Sequence, residues 1–219
     1  MTDDRTLQPY ARLAGFLYLF TNVTATVAFV ARSGLMAGSD AVRASAIAAS
    51  ETLFRLGIAI ELVTVACVIA LVVALYVILA PFGRAAALLA ASWRLAENVV
   101  LAVITLAEFA MIDLAKGDGG GALGRIALNV YGAGFQVGFL FLGLGSTLFS
   151  CLWWRSRYIP RALAGFGIFA SSFMALVSLG IIVWPGLLGL LTMAYMAPMG
   201  LYEIGLGLWL LVKGLRPRA

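Results

Sequence analysis

Residues 85–113 read AAALLAASWRLAENVVLAVITLAEFAMID. A helix crossing the roughly 30 Å hydrocarbon core of a bilayer needs about 20 predominantly apolar residues, and this run is long enough. Its few polar positions are ordered. At about 100° per residue, Arg94, Glu97, Asn98, Thr105 and Glu108 fall within about 100° of arc, and the opposite side is Ala, Leu and Val. A membrane-spanning helix turns such a stripe away from lipid, because a charge at mid-membrane costs about 2.5–3.5 kcal/mol or more. The run therefore predicts one member of a helical bundle with a polar interior.

Five further stretches have the same length and apolarity, giving six in all: 11–31, 55–80, 85–113, 125–153, 161–185 and 187–212. Several exceed the minimum, which implies tilt or extension beyond the bilayer. The first lacks a small-residue cleavage site behind a short apolar region, so it reads as a retained helix and not a signal peptide. The whole chain agrees. Of 219 residues, 63% are hydrophobic and 11% charged, with mean hydropathy +1.04, whereas soluble domains carry about 25% charged residues. These values exclude a soluble enzyme, a nucleic-acid-binding domain, a disordered chain and a secreted disulfide scaffold. The expectation is an all-α integral membrane bundle of six transmembrane helices forming one domain over residues 1–219.

The net charge of +5 follows the ends of the spans and reads as topology, not as nucleic-acid affinity. With the N-terminus inside, the cytoplasmic segments hold Arg5, Arg12, Arg84, Arg155, Arg157, Arg161, Lys213, Arg216 and Arg218. The other side holds Arg32, Arg43, Arg55, Lys116 and Arg125. The positive-inside rule then places both termini in the cytoplasm. Between the first two spans, residues 38–54 carry Ser39 or Asp40 as a cap and Val42, Ala46, Ala49 and Leu53 at helical spacing, predicting a short amphipathic helix on the outer face. The glycine-rich loop at 116–124 follows no strand and is read as a flexible outer connection, not a phosphate cradle. Pro198 is expected to kink the sixth span. Gly134 and Gly138, in G-x-x-x-G spacing, are expected to pack helices of the one chain together.

Chemistry is narrowed by what is missing. The chain has no histidine and two cysteines, Cys67 and Cys151, without C-x-x-C spacing. Haem ligation through histidine, zinc sites and histidine-activated nucleophiles are thereby excluded, and neither a metal nor a cofactor is expected. What remains is the intramembrane charge. A rise of about 1.5 Å per residue places Arg94, Glu97, Gln136 and Glu203 in an inner, more cytoplasmic layer. Glu61, Glu108 and Asn129 form an outer one. Two carboxylates for one guanidinium in the inner layer admit a structural ion pair with the spare carboxyl protonated. They equally admit a site for a cation, a proton or an amine. Acid–base catalysis on a lipid is a third reading, though no activated nucleophile accompanies it. Tyr195, Met199 and Tyr202 on the sixth span, with Phe135, Phe139 and Phe149 on the fourth, are packing residues or the apolar wall of a pocket.

Four stretches taken together carry a resemblance: Arg12–Leu19 (RLAGFLYL), Ala49–Gly57 (ASETLFRLG), Arg155–Phe166 (RSRYIPRALAGF) and Gly205–Gly214 (GLGLWLLVKG). The combination resembles the bacterial multi-pass membrane family known as domain of unknown function 4386. The resemblance implies six helices and a bacterial inner-membrane home, and it implies no reaction, substrate or cofactor. The expected function is binding or transport of a small or lipidic molecule in a polar, net-acidic pocket between spans two, three, four and six. The alternative is a non-catalytic accessory subunit in a larger membrane complex. Expected partners are membrane lipids, such a ligand or such a complex, and no nucleic acid.

Overall fold

The computed structural model describes residues 4–117 and 121–216. The centre of the glycine-rich loop, residues 118–120, and Arg218 lie outside the described residues. Regular structure among the described residues is helical throughout. In chain order it comprises α1 (Asp4–Ser33), α2 (Asp40–Ala49), α3 (Glu51–Leu79), α4 (Arg84–Lys116), α5 (Ala122–Ser156), α6 (Arg161–Val183), α7 (Gly186–Leu191) and α8 (Ala197–Val212). Six helical segments are long and apolar enough to cross a membrane: α1, α3, α4, α5, α6 and the segment Ala194–Val212. This is the architecture of a multi-pass membrane protein.

Five of the six expected spans are single helices. The sixth is not. It is divided into α7, a 3-10 turn over Thr192–Met196, and α8. Pro198 therefore does not kink a continuous helix; it stands in the first turn of α8, where its missing N–H is one the helix would leave unpaired anyway. Between α1 and α3, the ten-residue α2 buries Arg43 and Ile47. The Val42 and Leu53 positions of the expected apolar stripe are exposed instead.

Long-range hydrogen bonds bring the two chain ends together. Gln8 Nε2 donates to the Leu215 carbonyl at 2.9 Å, and the Leu215 N–H donates back to Gln8 Oε1 at 3.1 Å. Arg12 Nη1 donates to the Leu211 carbonyl at 2.9 Å, and the Arg216 N–H to the Tyr158 carbonyl at 2.9 Å. The start of α1, the end of α8 and the α5–α6 turn thus share one end of the bundle. At the opposite end the close of α4 and the start of α5 are tied to α2 and α3: Arg125 reaches Asp40 at 3.0 Å and Lys116 reaches Glu51 at 2.8 Å.

Small residues set the helix spacing. A Cβ added at Gly134 would lie 2.1 Å from the Ile104 side chain on α4, and one at Gly143 would lie 2.6 Å from the Ala175 backbone nitrogen on α6. The glycine face of α5 is consumed by neighbours in the same chain, which is the internal packing expected of Gly134 and Gly138. Thr147 Oγ1 lies 3.4 Å from Ser172 Oγ across the α5–α6 contact.

Candidate functional site

The helix-periodic polar stripe of α4 sits wholly inside the bundle: Arg94, Glu97, Asn98, Thr105 and Glu108 are all buried. Around it the seven residues singled out in the sequence separate into three situations.

Arg94 and Glu97, each 4% exposed, are one turn apart on α4, with Nη1 and Oε2 at 2.7 Å. The two groups face each other as a buried ion pair. Arg94 is positioned by a glycine. The stem of its side chain lies where a Cβ at Gly145 of α5 would come within 2.8 Å, so the absence of a side chain there gives the guanidinium its berth. Asn98 Nδ2 donates to the Arg94 carbonyl at 2.7 Å. Glu203, on α8, takes a hydrogen bond from Asn22 Nδ2 of α1 at 3.2 Å. Gln136 Oε1 accepts from the Tyr195 hydroxyl at 3.2 Å.

Glu61 and Glu108 are brought together by a residue assigned to an outer loop on sequence grounds. Arg32, in the last turn of α1, is 2% exposed. Its guanidinium bridges Glu61 on α3 and Glu108 on α4, lies 6.0 Å from the Tyr131 ring centroid, and donates through Nε to the Ala28 carbonyl at 3.0 Å. Gly57 makes room for it, since an added Cβ would meet the Arg32 stem at 2.6 Å. Arg32 is thus a buried member of the outer cluster, not a topology marker in a loop. The signal was indirect: two acids at one membrane depth, away from Arg94, called for a cation from a helix end.

Asn129 stands apart and is exposed. It shares a face of α5 with Gln136, but the cover differs along that face. Gln136 meets Tyr195, whereas a Cβ added at the intervening Gly132 would meet nothing within 4 Å.

A cavity of about 480 Å³ connects the first two clusters. Arg32 and Glu61 line one part of it; Arg94, Glu97, Asn98 and Glu203 line another. Along α1 its wall runs from Thr21 to Arg32, about 16 Å at 1.5 Å per residue, so both polar levels open on one space. Much of the remaining wall is apolar, with Phe135, Phe139 and Leu142 of α5 and Met174, Met196 and Met199 beyond. Helix α1 supplies more of the lining than sequence reasoning gave it, through Thr21, Asn22 and Thr26 as well as Arg32. Glu108, Gln136 and Asn129 are not among the lining residues. Among the described residues, no three of His, Cys, Asp and Glu gather as a metal-binding group.

No curated protein and no solved structure matches the chain. A family model described as Domain of unknown function (DUF4386) does, over residues 13–214. That range takes in five spans whole, most of the first, and every residue of both polar clusters, and the chain belongs to this family.

Proposed function

We propose that the protein binds a small or lipidic molecule in the cavity, with Arg94 and Glu97 as its polar anchors. The observation that carries this reading is the place of that pair. Both groups are nine-tenths buried and line the cavity as an ion pair at 2.7 Å. Burying charge in an apolar bundle is costly even when it is paired. Guanidinium and carboxylate keep further donor and acceptor capacity, which a bound polar group would use. An apolar wall with a few convergent polar groups is the usual composition of a small-molecule site. Glu61, Glu203, Gln136, Glu108 and Asn129 are secondary candidates, the first two because they line the same space.

The setting we propose is a bacterial inner membrane with both termini in the cytoplasm. The end shared by the termini carries Arg12, Arg84, Arg155, Arg157, Arg161, Lys213 and Arg216. At the other end Arg43, Arg55, Lys116 and Arg125 are each matched by Asp40 or Glu51. The positive-inside rule supports this orientation, and it puts α2 on the outer face.

Native mass spectrometry of gently solubilised protein tests the reading. The wild-type chain should carry a discrete adduct, and Arg94→Ala should lose at least nine-tenths of it. Glu97→Gln should weaken the adduct while lowering the unfolding temperature by no more than a few degrees. A bare wild-type chain whose two variants are merely less stable would make the pair structural. A chain that arrives with a second protein would instead favour an accessory subunit.

A further inference from the structure

The ion pairs leave one lining carboxylate without a cation. Arg32 serves Glu61 and Glu108, and Arg94 faces Glu97. Glu203 is held by the neutral amide of Asn22, and no ion pair joins it to a cation among the described residues. The cavity wall therefore holds three carboxylates, Glu61, Glu97 and Glu203, against two guanidiniums.

Glu203 also marks the point where two helices part. Helices α1 and α8 run antiparallel and in contact from Gln8 beside Leu215, through Arg12 beside Leu211 and Gly15 against the Leu211 backbone, to Asn22 beside Glu203. One turn further, the facing residues are cavity walls: Ala25, Thr26 and Phe29 on one side, Ala197 and Gly200 on the other. Ala25, Thr26, Phe29 and Ala197 are exposed, and a Cβ added at Gly200 would meet nothing within 4 Å. The gap lies just past the 3-10 turn that divides the sixth span. Both rims fall inside segments apolar enough to cross a membrane, Thr6–Ser33 and Ala194–Val212. A mouth at this place would face the bilayer from the side.

From this we infer that the ligand is a cationic amphiphile, an alkylammonium head on an apolar tail, which enters from the membrane between α1 and α8 and is met by Glu203. This rests on the ligand-binding reading above and gives it a substrate class and a route. A lateral mouth admits molecules already dissolved in the bilayer. The head would reach a carboxylate with no direct ion-pair partner, in surroundings of low dielectric, where a charge pair is far stronger than in water. The tail would lie along the phenylalanine and methionine wall.

Equilibrium binding to the full chain in dodecyl maltoside, read with radiolabelled tetradecylammonium and separately with radiolabelled tetradecanoate, tests the inference. Tetradecylammonium should bind, with tetradecanol and butylammonium competing at least tenfold more weakly than unlabelled amine. Glu203→Gln should abolish the preference for amine over alcohol. Gly200→Trp, placed where an added Cβ meets nothing within 4 Å, should reduce amine binding at least tenfold with an unfolding temperature close to wild type. It tests the mouth without altering any charge. Equal competition by tetradecanol, or a preference that survives Glu203→Gln, would overturn recognition of the cation. Equal competition by butylammonium, or full binding by Gly200→Trp, would overturn lateral entry of an amphiphile. Binding of tetradecanoate alone, lost in Arg94→Ala, would reject this inference while leaving the ligand site standing. Binding of neither, with a bare chain by mass spectrometry, would remove both.

Discussion

Arg32→Met is expected to be the most damaging single substitution in the protein, costing about 3–5 kcal/mol, the range for breaking a buried ion pair by removing one partner. The guanidinium bridges Glu61 and Glu108. Methionine fills much of the space, yet it leaves two carboxylates facing each other inside the bundle. The second oxygen of Glu108 already lacks a hydrogen-bond partner, so no local donor is on hand to take over. The unfolding temperature in detergent should fall by on the order of 10 °C, followed by circular dichroism. The cause can be separated from simple loss of packing. In the triple variant Arg32→Met, Glu61→Gln, Glu108→Gln the buried charge is gone, and replacing a whole buried ion cluster by neutral groups is often close to neutral. At least half of the lost stability should return. A triple variant as unstable as Arg32→Met would show that the arginine acts by shape and not by charge.

Gly15→Ala is expected to be nearly as severe, though it adds only a methyl group. The new Cβ would lie 2.4 Å from the Leu211 backbone nitrogen, 2.8 Å from the Gly207 carbonyl oxygen and 2.9 Å from the Leu210 carbonyl carbon. All three are backbone atoms, and no rotamer change can clear them. Helices α1 and α8 must separate along the contact that joins the two chain ends. Overpacking costs about 1–3 kcal/mol and occasionally more, and a clash with backbone alone belongs at the upper end. Gly132→Ala provides the contrast, because its Cβ would meet nothing within 4 Å. There the change should be neutral or stabilising by about 0.5–1 kcal/mol, since alanine is the better helix former. Thermal unfolding of the two variants side by side checks both signs. Equal Tm values would mean that the α1–α8 contact is looser than the structure has it.

Both predictions turn on contacts that the sequence shows only in part. Spacing alone put Arg94, Glu97 and Glu108 on one inward stripe of α4, because the period of the helix and the cost of charge in hydrocarbon are both local properties. It also marked Glu61 and Glu203 as residues needing a reason to be in a span. It misplaced Arg32, which lies at the end of an apolar run and is indistinguishable there from an arginine that simply fixes topology. Only the packing of α1 on α3, and of α3 on α4, lets its long side chain reach its acids, 29 and 76 positions further along the chain. Asn129 shows the converse. Depth alone put it in the outer polar layer with Glu61 and Glu108, but α5 is 35 residues long and its neighbours do not cover its whole length.

The amino-acid sequence by itself determined the membrane class, the number of spans and the inward stripe of α4, because bilayer insertion weighs each residue by its own polarity and the helix repeats every 3.6 residues. The tertiary structure decided which acid meets which base, where the sixth span breaks, and where α1 and α8 part beside Glu203. Those outcomes depend on the distance between helices. Glycines such as Gly15, Gly57 and Gly145 set that distance through contacts with residues remote in the chain, and no local pattern records them.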